Sequence, residues 1–245
     1  MRKIRLILEF DGTAYVGWQV QANGPSVQQV VEEALEKVVG HPVRLTSSGR
    51  TDSGVHAKGM VAHFQTGKNL PGEAFREGVN RFLPPDIAVR DAREVAPGFH
   101  ARFDAKGKWY RYRIWNDRIR SPLAGRFSWH VPASLDLGAM RAGADYVVGR
   151  HDFRAFRTAG CDAKTTVREV FSISIRNAGP MIVVDVRGEG FLRNMVRMLV
   201  GTLVEIGLNR REPGDVCRIL NGEPDLRPGP TAPPQGLCLM EVWYD

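Results

Sequence analysis

The segment from Gly49 to Ala57, GRTDSGVHA, carries one carboxylate, Asp52, between an arginine and a glycine-containing turn. Because Arg50 lies two residues before Asp52, an extended chain would point both side chains to the same side. Ser53 and Gly54 permit a tight bend with exposed backbone. Taken alone, T-D-S-G is typical of a surface turn. The apolar runs on both sides of the segment predict two strands, which would hold a functional carboxylate rigidly.

A second group that could do chemistry lies on a predicted helix at Leu192–Ile206. Arg193 and Arg197 are one turn apart and share a face with two valines. A solvated face would favour lysine and glutamate, so arginines beside valines suggest that this face is covered. A covered arginine needs an anion, and Asp52 is a candidate. The alternative is an exposed face on which the arginines extend their charged ends into water.

The periodicity predicts the elements that must position these residues. The first half reads as a strand at Lys3–Phe10, a helix from Ser26 to Gly40, strands near Val43–Ser48 and Lys58–Thr66, a helix at Pro71–Phe82 and a strand at Ile87–Val95. The second half reads as a strand at Lys106–Trp115, a helix from Ser134 to Val148, strands at Thr166–Ile175 and Met181–Val186, a helix at Leu192–Ile206, a shorter helix near Pro213 and a strand at Gly236–Tyr244.

This order predicts an α+β fold of two similar β-α-β-β-α-β halves, the ferredoxin-like arrangement, with mainly antiparallel sheets. The predicted boundary lies near residue 104, giving domains 1–104 and 105–245. The first domain would carry Asp52, and the second would carry the Lys106–Trp115 strand and the arginine helix. A ligand is expected in a central cleft between the halves.

Composition limits the class of protein. The chain has 245 residues, 43% of them hydrophobic, which suits one large domain or two small ones. It contains no run of eighteen apolar residues and no signal-peptide pattern at its start. Its three cysteines, Cys161, Cys217 and Cys238, have no C-x-x-C spacing. We therefore expect a cytoplasmic protein without a membrane span, disulfide framework or zinc site.

Charge indicates a polyanionic partner. The formal net charge is +7, with 34 basic residues against 27 acidic ones. Ten basic residues lie between Arg90 and Arg126, interleaved with tryptophans, tyrosines and phenylalanines. Basic residues mixed with aromatic ones suit single-stranded or flipped bases. A general preference for arginine in the source genome would also raise the charge, but it would not explain this interleaving.

Several segments together resemble the bacterial tRNA pseudouridine synthase A (TruA) family. The most specific is GRTDSGVHA, followed by His63-Phe64. The others are YVGWQVQ from Tyr15, KWYRY from Lys108, HDFRAFR from His151, GFLRNMVR from Gly190 and APPQGLCL from Ala232. The resemblance covers essentially the whole chain. It departs from the usual pattern at Ser53, Trp109 and Asn194, where alanine, a second basic residue and histidine are commoner.

The resemblance implies that uridine is converted to pseudouridine at nucleotides 38, 39 and 40 of the tRNA anticodon stem-loop. It implies a homodimer, a pseudouridine synthase fold and no cofactor. Asp52 would be the catalytic carboxylate, acting as nucleophile or base, and Arg197 would pair with it. Tyr110 would stack on the target uracil and could assist proton transfer. Arg50 would help to extrude the uridine.

Two other classes of protein are considered. T-D-S-G resembles the catalytic loop of aspartic proteases, but their chemistry needs two carboxylates and the chain has no second D-[ST]-G. A non-catalytic RNA-binding module would fit the charge, but it would leave Asp52 unexplained. The histidines lack metal-ligand spacing, and GRTDSG lacks the lysine of a phosphate-binding loop, so we expect no metal site.

Overall fold

The computed structural model describes residues 1–158 and 164–245. Of the residues named above, Cys161 lies outside this part of the chain. The described strands are β1 Arg2–Phe10, β2 Thr46–Ser47, β3 His56–Thr66, β4 Ile87–Val95, β5 Gly107–Trp115, β6 Trp129–His130, β7 Gly149–Asp152, β8 Val167–Ala178, β9 Met181–Gly188 and β10 Leu237–Trp243. The described α-helices are α1 Val27–Val39, α2 Gly72–Asn80, α3 Leu137–Asp145, α4 Met195–Gly207 and α5 Asp215–Leu220.

The described residues form two compact units, the first comprising residues 1–106 with 238–245 and the second 107–237. The last strand was expected in the second half, whereas β10 groups with the first unit. The reason is a long-range pairing, because β10 runs parallel to β3 with Cys238 opposite His56. Hydrophobic periodicity identifies a strand but carries no information about its partner.

The first unit contains the strand order β4-β1-β3-β10, with β2 paired to β3. Strand β1 lies antiparallel to both β3 and β4. Its alternating residues Ile4, Leu6 and Leu8 are fully buried. Helix α1 starts as expected, since the hydroxyl of Ser26 accepts a hydrogen bond from the Gln29 amide, and it ends at Gly40 in the left-handed conformation. The mixed α+β class and the β-α-β-β-α-β order are confirmed in this unit.

The second unit contains the strand order β5-β9-β8-β7, with β6 paired to β5. Strand β9 is antiparallel to both β5 and β8, whereas the short strand β6 runs parallel to β5. Two expected helix starts differ here. Helix α3 is capped by Asp136 rather than Ser134, because the Asp136 carboxylate accepts hydrogen bonds from the amides of Gly138 and Ala139. Helix α4 begins after Asn194 rather than at Leu192, since Asn194 has a left-handed φ of 61° that interrupts the helix.

Candidate active site

The loop that carries Asp52 is a tight turn between β2 and β3. The carbonyl oxygen of Asp52 accepts a hydrogen bond from the Val55 amide at 3.1 Å. Gly54 has a φ of +76°, a conformation that glycine adopts without steric cost. The side chain of Asp52 is half-buried, whereas that of Arg50 is exposed. The predicted bend at Ser53-Gly54 is therefore confirmed, and it leaves the carboxylate on a fixed backbone.

A preceding segment of the first unit braces this turn. The amide of Trp18 donates to the carbonyl oxygen of Thr51 at 3.1 Å. On the other side of Asp52, the Ser53 hydroxyl donates to the carbonyl oxygen of Tyr15 at 3.2 Å. The Trp18 side chain is 1% exposed and packs against Phe10 in the core. The backbone on both sides of Asp52 is thus tied to a loop that is itself anchored in the core.

Gly17 explains how the two segments can approach each other so closely. Its φ is +112°, and a Cβ atom placed there would lie 2.6 Å from the carbonyl oxygen of Thr51. No Cβ atom tolerates that distance, so any larger residue at position 17 would displace the loop. The sequence alone did not identify Gly17 as a support of Asp52.

Thr51, directly before Asp52, was also missed. Its side chain is 7% exposed, and its hydroxyl has no hydrogen-bond partner among the described residues. Since most buried hydroxyl groups are hydrogen-bonded, this one is unusual. The signal available in the sequence was only its position next to the carboxylate.

The second unit carries Tyr110 and Arg197. Tyr110 is half-buried on β5, and its ring and that of Phe191 form a T-shaped pair with a centroid distance of 5.4 Å. Tyr112 lies two residues further on the same face and is fully buried. Its hydroxyl donates to the carbonyl oxygen of Pro233 at 2.7 Å. Burial raises the pKa of Tyr112, while the nearby charge of Arg197 acts in the opposite direction.

Arg197 is held at the start of α4 by two hydrogen bonds within the second unit. Its Nε donates to the carbonyl oxygen of Ala232 at 2.7 Å, and its Nη1 donates to Oδ1 of Asn194 at 2.8 Å. The Asn194 side chain in turn donates from Nδ2 to the hydroxyl of Thr158 at 3.1 Å. The left-handed backbone of Asn194 places its amide group between these two partners, which fixes the direction of the guanidinium.

The face of α4 that bears Arg197 is covered, as the valines predicted. Val200 is 0% exposed and Val204 is 2% exposed. The cover is the proline-rich segment 228–236. A Cβ atom on Gly201 would lie 1.7 Å from the carbonyl oxygen of Pro230, and the amide of Gly229 donates to the Thr202 hydroxyl at 2.9 Å. This segment also supplies the carbonyl oxygen of Ala232 that accepts a hydrogen bond from Arg197.

The four predicted site residues are therefore divided between the units. Asp52 and Arg50 belong to the first unit, and Tyr110 and Arg197 belong to the second. The pairing of Asp52 with Arg197 stays a prediction, as do the roles of Tyr110 and Arg50. A carboxylate on a fixed backbone can act as a nucleophile or as a general base.

Two further observations concern metal binding and membrane insertion. Within residues 1–158 and 164–245, no group of three or more His, Cys, Asp or Glu side chains is arranged to hold a metal ion. In the same part of the chain, no helix has the length and apolar character needed to cross a bilayer.

The family model described as tRNA pseudouridine synthase matches residues 6–104 and 144–245. The chain belongs to this family, whose members are isomerases. The matched ranges include Asp52 and its bracing loop, and also Asn194, Arg197 and the segment that covers α4. The resemblance identified from GRTDSGVHA and its companion segments is thereby confirmed.

Curated relatives match along the full length. The chain is 64% identical over 244 residues to tRNA pseudouridine synthase A of Syntrophotalea carbinolica, covering 100% of this chain and 97% of the relative. It is 55% identical to the enzyme of the same name from Geobacter sulfurreducens and 54% identical to that from Geotalea daltonii, with full coverage of both chains in each case. A solved archaeal box H/ACA ribonucleoprotein aligns with 83% of this chain and 42% of its own, at 13% identity and a TM-score of 0.38, too low to support an inference.

Proposed function

We propose that this protein converts uridine to pseudouridine at positions 38, 39 and 40 of the tRNA anticodon stem-loop. The observation that carries the proposal is the full-length match to tRNA pseudouridine synthase A relatives, with the Asp52 turn intact and braced from both sides. The anticodon positions come from the family resemblance. So do the homodimer and the cytoplasmic location, which stay proposals.

The reaction balances without an external reagent. The bond from nitrogen 1 of uracil to carbon 1′ of ribose breaks, the base turns, and carbon 5 joins carbon 1′. The proton on carbon 5 leaves, and nitrogen 1 gains a proton. Since no electrons enter or leave, no redox cofactor is required. The enzyme has to hold the detached base, to stabilise the charge that develops and to move one proton.

The proposed roles follow the reaction. Asp52 acts on the extruded uridine, either as a nucleophile or as a base that removes a sugar proton. The fixed guanidinium of Arg197 would keep the carboxylate ionised and directed, because a charge-assisted hydrogen bond favours the charged form. Tyr110 would stack on the uracil. Arg50, which is exposed beside Asp52, would help to extrude the nucleotide or fill its place in the stem.

Release of tritium from carbon 5 of uridine in an unmodified tRNA transcript tests the proposal. The parent protein should release tritium, whereas Asp52→Asn should release none. Asp225→Asn is the matched control, because Asp225 is exposed and makes no hydrogen bond or ion pair with the described residues. Transcripts with a single uridine at position 38, 39 or 40 test the positions. A parent protein that binds tRNA but releases no tritium would instead be a non-catalytic RNA-binding module.

A further inference from the structure

One face of the sheet in the second unit is basic, whereas Tyr112 and Ile114 are buried on the opposite face. Side chains alternate along β5, so Trp109, Arg111 and Arg113 point to the other side. Residues that pair across β9 and β8 share that side. They are Arg187 opposite Trp109, Asp185 opposite Arg111, Val183 opposite Arg113, and Arg176 opposite Val183. We call this face the basic stripe and define it by Trp109, Arg111, Arg113, Arg176, Asp185 and Arg187.

Asp185 lies at the centre of the stripe and organises it. Its carboxylate accepts from Trp109 Nε1 at 2.7 Å, from Arg111 Nε at 2.8 Å and from Arg176 Nη2 at 2.7 Å. Arg111 completes a bidentate pair through Nη2 at 3.1 Å. Although burial favours the neutral acid, the hydrogen bonds from Arg111, Arg176 and Trp109 outweigh it and keep the pKa of Asp185 below its usual value.

The indole of Trp109 holds two guanidinium groups. The guanidinium carbon of Arg111 lies over the ring at 5.0 Å from its centroid, and that of Arg187 at 4.7 Å. These arginines are therefore ordered before any ligand arrives, which reduces the conformational entropy lost on binding. The aromatic ring of Trp109 thus positions two positive charges without adding one of its own.

Asp185 neutralises only part of the positive charge of the basic stripe. Four arginines against one aspartate leave a net charge of +3. Arg113 makes no hydrogen bond or ion pair with the described residues, and Arg187 is exposed. Beyond Arg113 the same side of β5 reaches Trp115, which borders a groove of about 360 Å³. That groove is also lined by Arg120, Ser121, Pro122, Gly125, Arg126 and His130.

We propose that the basic stripe binds the phosphate backbone of the substrate tRNA outside the anticodon loop. This inference rests on the proposed function for the identity of the RNA. Ordered arginines with unsatisfied positive charge match a polyanion, since phosphate contacts fix the position of an RNA without reading its sequence. Tyr110 points to the opposite side of β5 from Arg111. A nucleotide received by Tyr110 therefore does not share the face that carries the stripe, so the stripe contacts a different part of the molecule.

The test measures the affinity for a full-length tRNA transcript at several salt concentrations. Arg113→Gln and Arg187→Gln remove one charge each, and Arg81→Gln is the matched control. Arg81 is exposed in the first unit, and its side chain makes no hydrogen bond or ion pair with the described residues. Each stripe variant should weaken binding about 2- to 10-fold at low salt and lower the slope of log affinity against log salt by about 0.7–0.9 per lost contact. The double variant should show both effects combined, and Arg81→Gln should show neither.

Binding to an isolated anticodon stem-loop distinguishes the contribution of the basic stripe from that of the site of reaction. The double variant should bind this fragment as the parent does, because the fragment lacks the backbone that the stripe contacts. Equal weakening on fragment and full-length tRNA would overturn the proposal, as would a double variant whose salt slope matches that of Arg81→Gln.

Light scattering on the same variants tests whether a second copy of this chain, rather than tRNA, binds the basic stripe. A change in molar mass with an unchanged salt slope would make the stripe an interface between copies of this chain and would overturn the proposal. Tritium release by the parent reports separately on the proposed function. Tritium release by the parent together with unchanged salt slopes in the stripe variants would refute only the proposed binding role of the basic stripe. Altered salt slopes without tritium release would refute only the proposed enzymatic activity.

Discussion

Nε of Arg197 donates a hydrogen bond of 2.7 Å to the carbonyl oxygen of Ala232, thirty-five residues further along the chain. The pair is closed in the other direction by the Ala232 amide, which donates to the carbonyl oxygen of Arg197 at 3.2 Å. Arg197 on α4 is thus bound to the proline-rich segment 228–236 by one side-chain and one backbone hydrogen bond. The direction of the guanidinium depends on the loop as much as on the helix.

Arg197→Lys tests this dependence. Lysine keeps the positive charge, but its single ammonium cannot reproduce a planar fork that serves Ala232 and Asn194 together. We expect kcat to fall by about tenfold or more and the free energy of unfolding to fall by about 1 kcal/mol, the typical contribution of one hydrogen bond. Steady-state kinetics and urea denaturation measure the two effects. Arg193→Lys, an exposed position on the same segment, should stay close to the parent, and an equal loss there would contradict a specific role for Arg197.

Tyr110→Phe separates stacking from proton transfer. The ring and its edge contact with Phe191 are kept, so tRNA affinity should change by less than about twofold, within the small effect expected of a surface change. The hydroxyl is lost, so we expect turnover to fall by about a hundredfold, the lower range for a lost proton-transfer group. Single-turnover kinetics at saturating enzyme give the chemical step directly. Tyr146→Phe is the control because Tyr146 is exposed. A Tyr110→Phe variant as fast as the parent would leave only stacking.

Gly17→Ala should damage the support of Asp52. The added Cβ atom would meet the carbonyl oxygen of Thr51 at 2.6 Å, in a backbone conformation with φ of +112°. We expect a loss of about 1–3 kcal/mol in the free energy of unfolding, together with lower turnover, because relief of the clash moves the loop. Gly98→Ala is the matched control, since nothing lies within 4 Å of its added Cβ atom. Parent-like turnover in a folded Gly17→Ala protein would show that the brace does not position Asp52.

Local patterns predicted much of each unit from the sequence. The alternation in β1 and the caps of α1 depend on neighbouring residues, so Ser26 and Gly40 could be read directly. For α4 the sequence left two alternatives, a covered and an exposed face, and the burial of Val200 and Val204 supports the covered one. These inferences need no knowledge of the partner element.

What could not be predicted depends on contacts between distant residues. The pairing of β10 with β3 and the packing of segment 228–236 on α4 leave no periodic trace in either strand or loop. The start of α4 was misplaced because hydrophobic periodicity does not indicate the left-handed φ of Asn194, whose side chain bonds to Thr158 and Arg197. Thr51 and Gly17 act through single close approaches, which composition cannot reveal.

The last prediction concerns pH and His63. This side chain is 7% exposed, and its Nδ1 accepts a hydrogen bond from the amide of Ala101 at 3.2 Å. Burial lowers its pKa to about 4, assisted by the charges of Lys3 and His100 and opposed by that of Asp104. Protonation would place a charge in a buried site and remove the acceptor, so the folded state resists it.

The direction of the pH dependence follows from how many protons His63 binds in the folded and in the unfolded state. Between pH 6.5, the ordinary histidine pKa, and pH 4, the unfolded chain binds more protons at His63 than the folded protein does. The contribution of His63 to the free energy of unfolding is therefore fully present above pH 6.5, and it declines as the pH falls towards 4. Linkage gives a loss of about 2 kcal/mol in the free energy of unfolding between pH 7.5 and pH 5. Urea denaturation at these two pH values should show that loss in the parent beyond what the His63→Gln variant shows. The same pH dependence in both proteins would mean that His63 is protonated as readily in the folded state as in the unfolded chain.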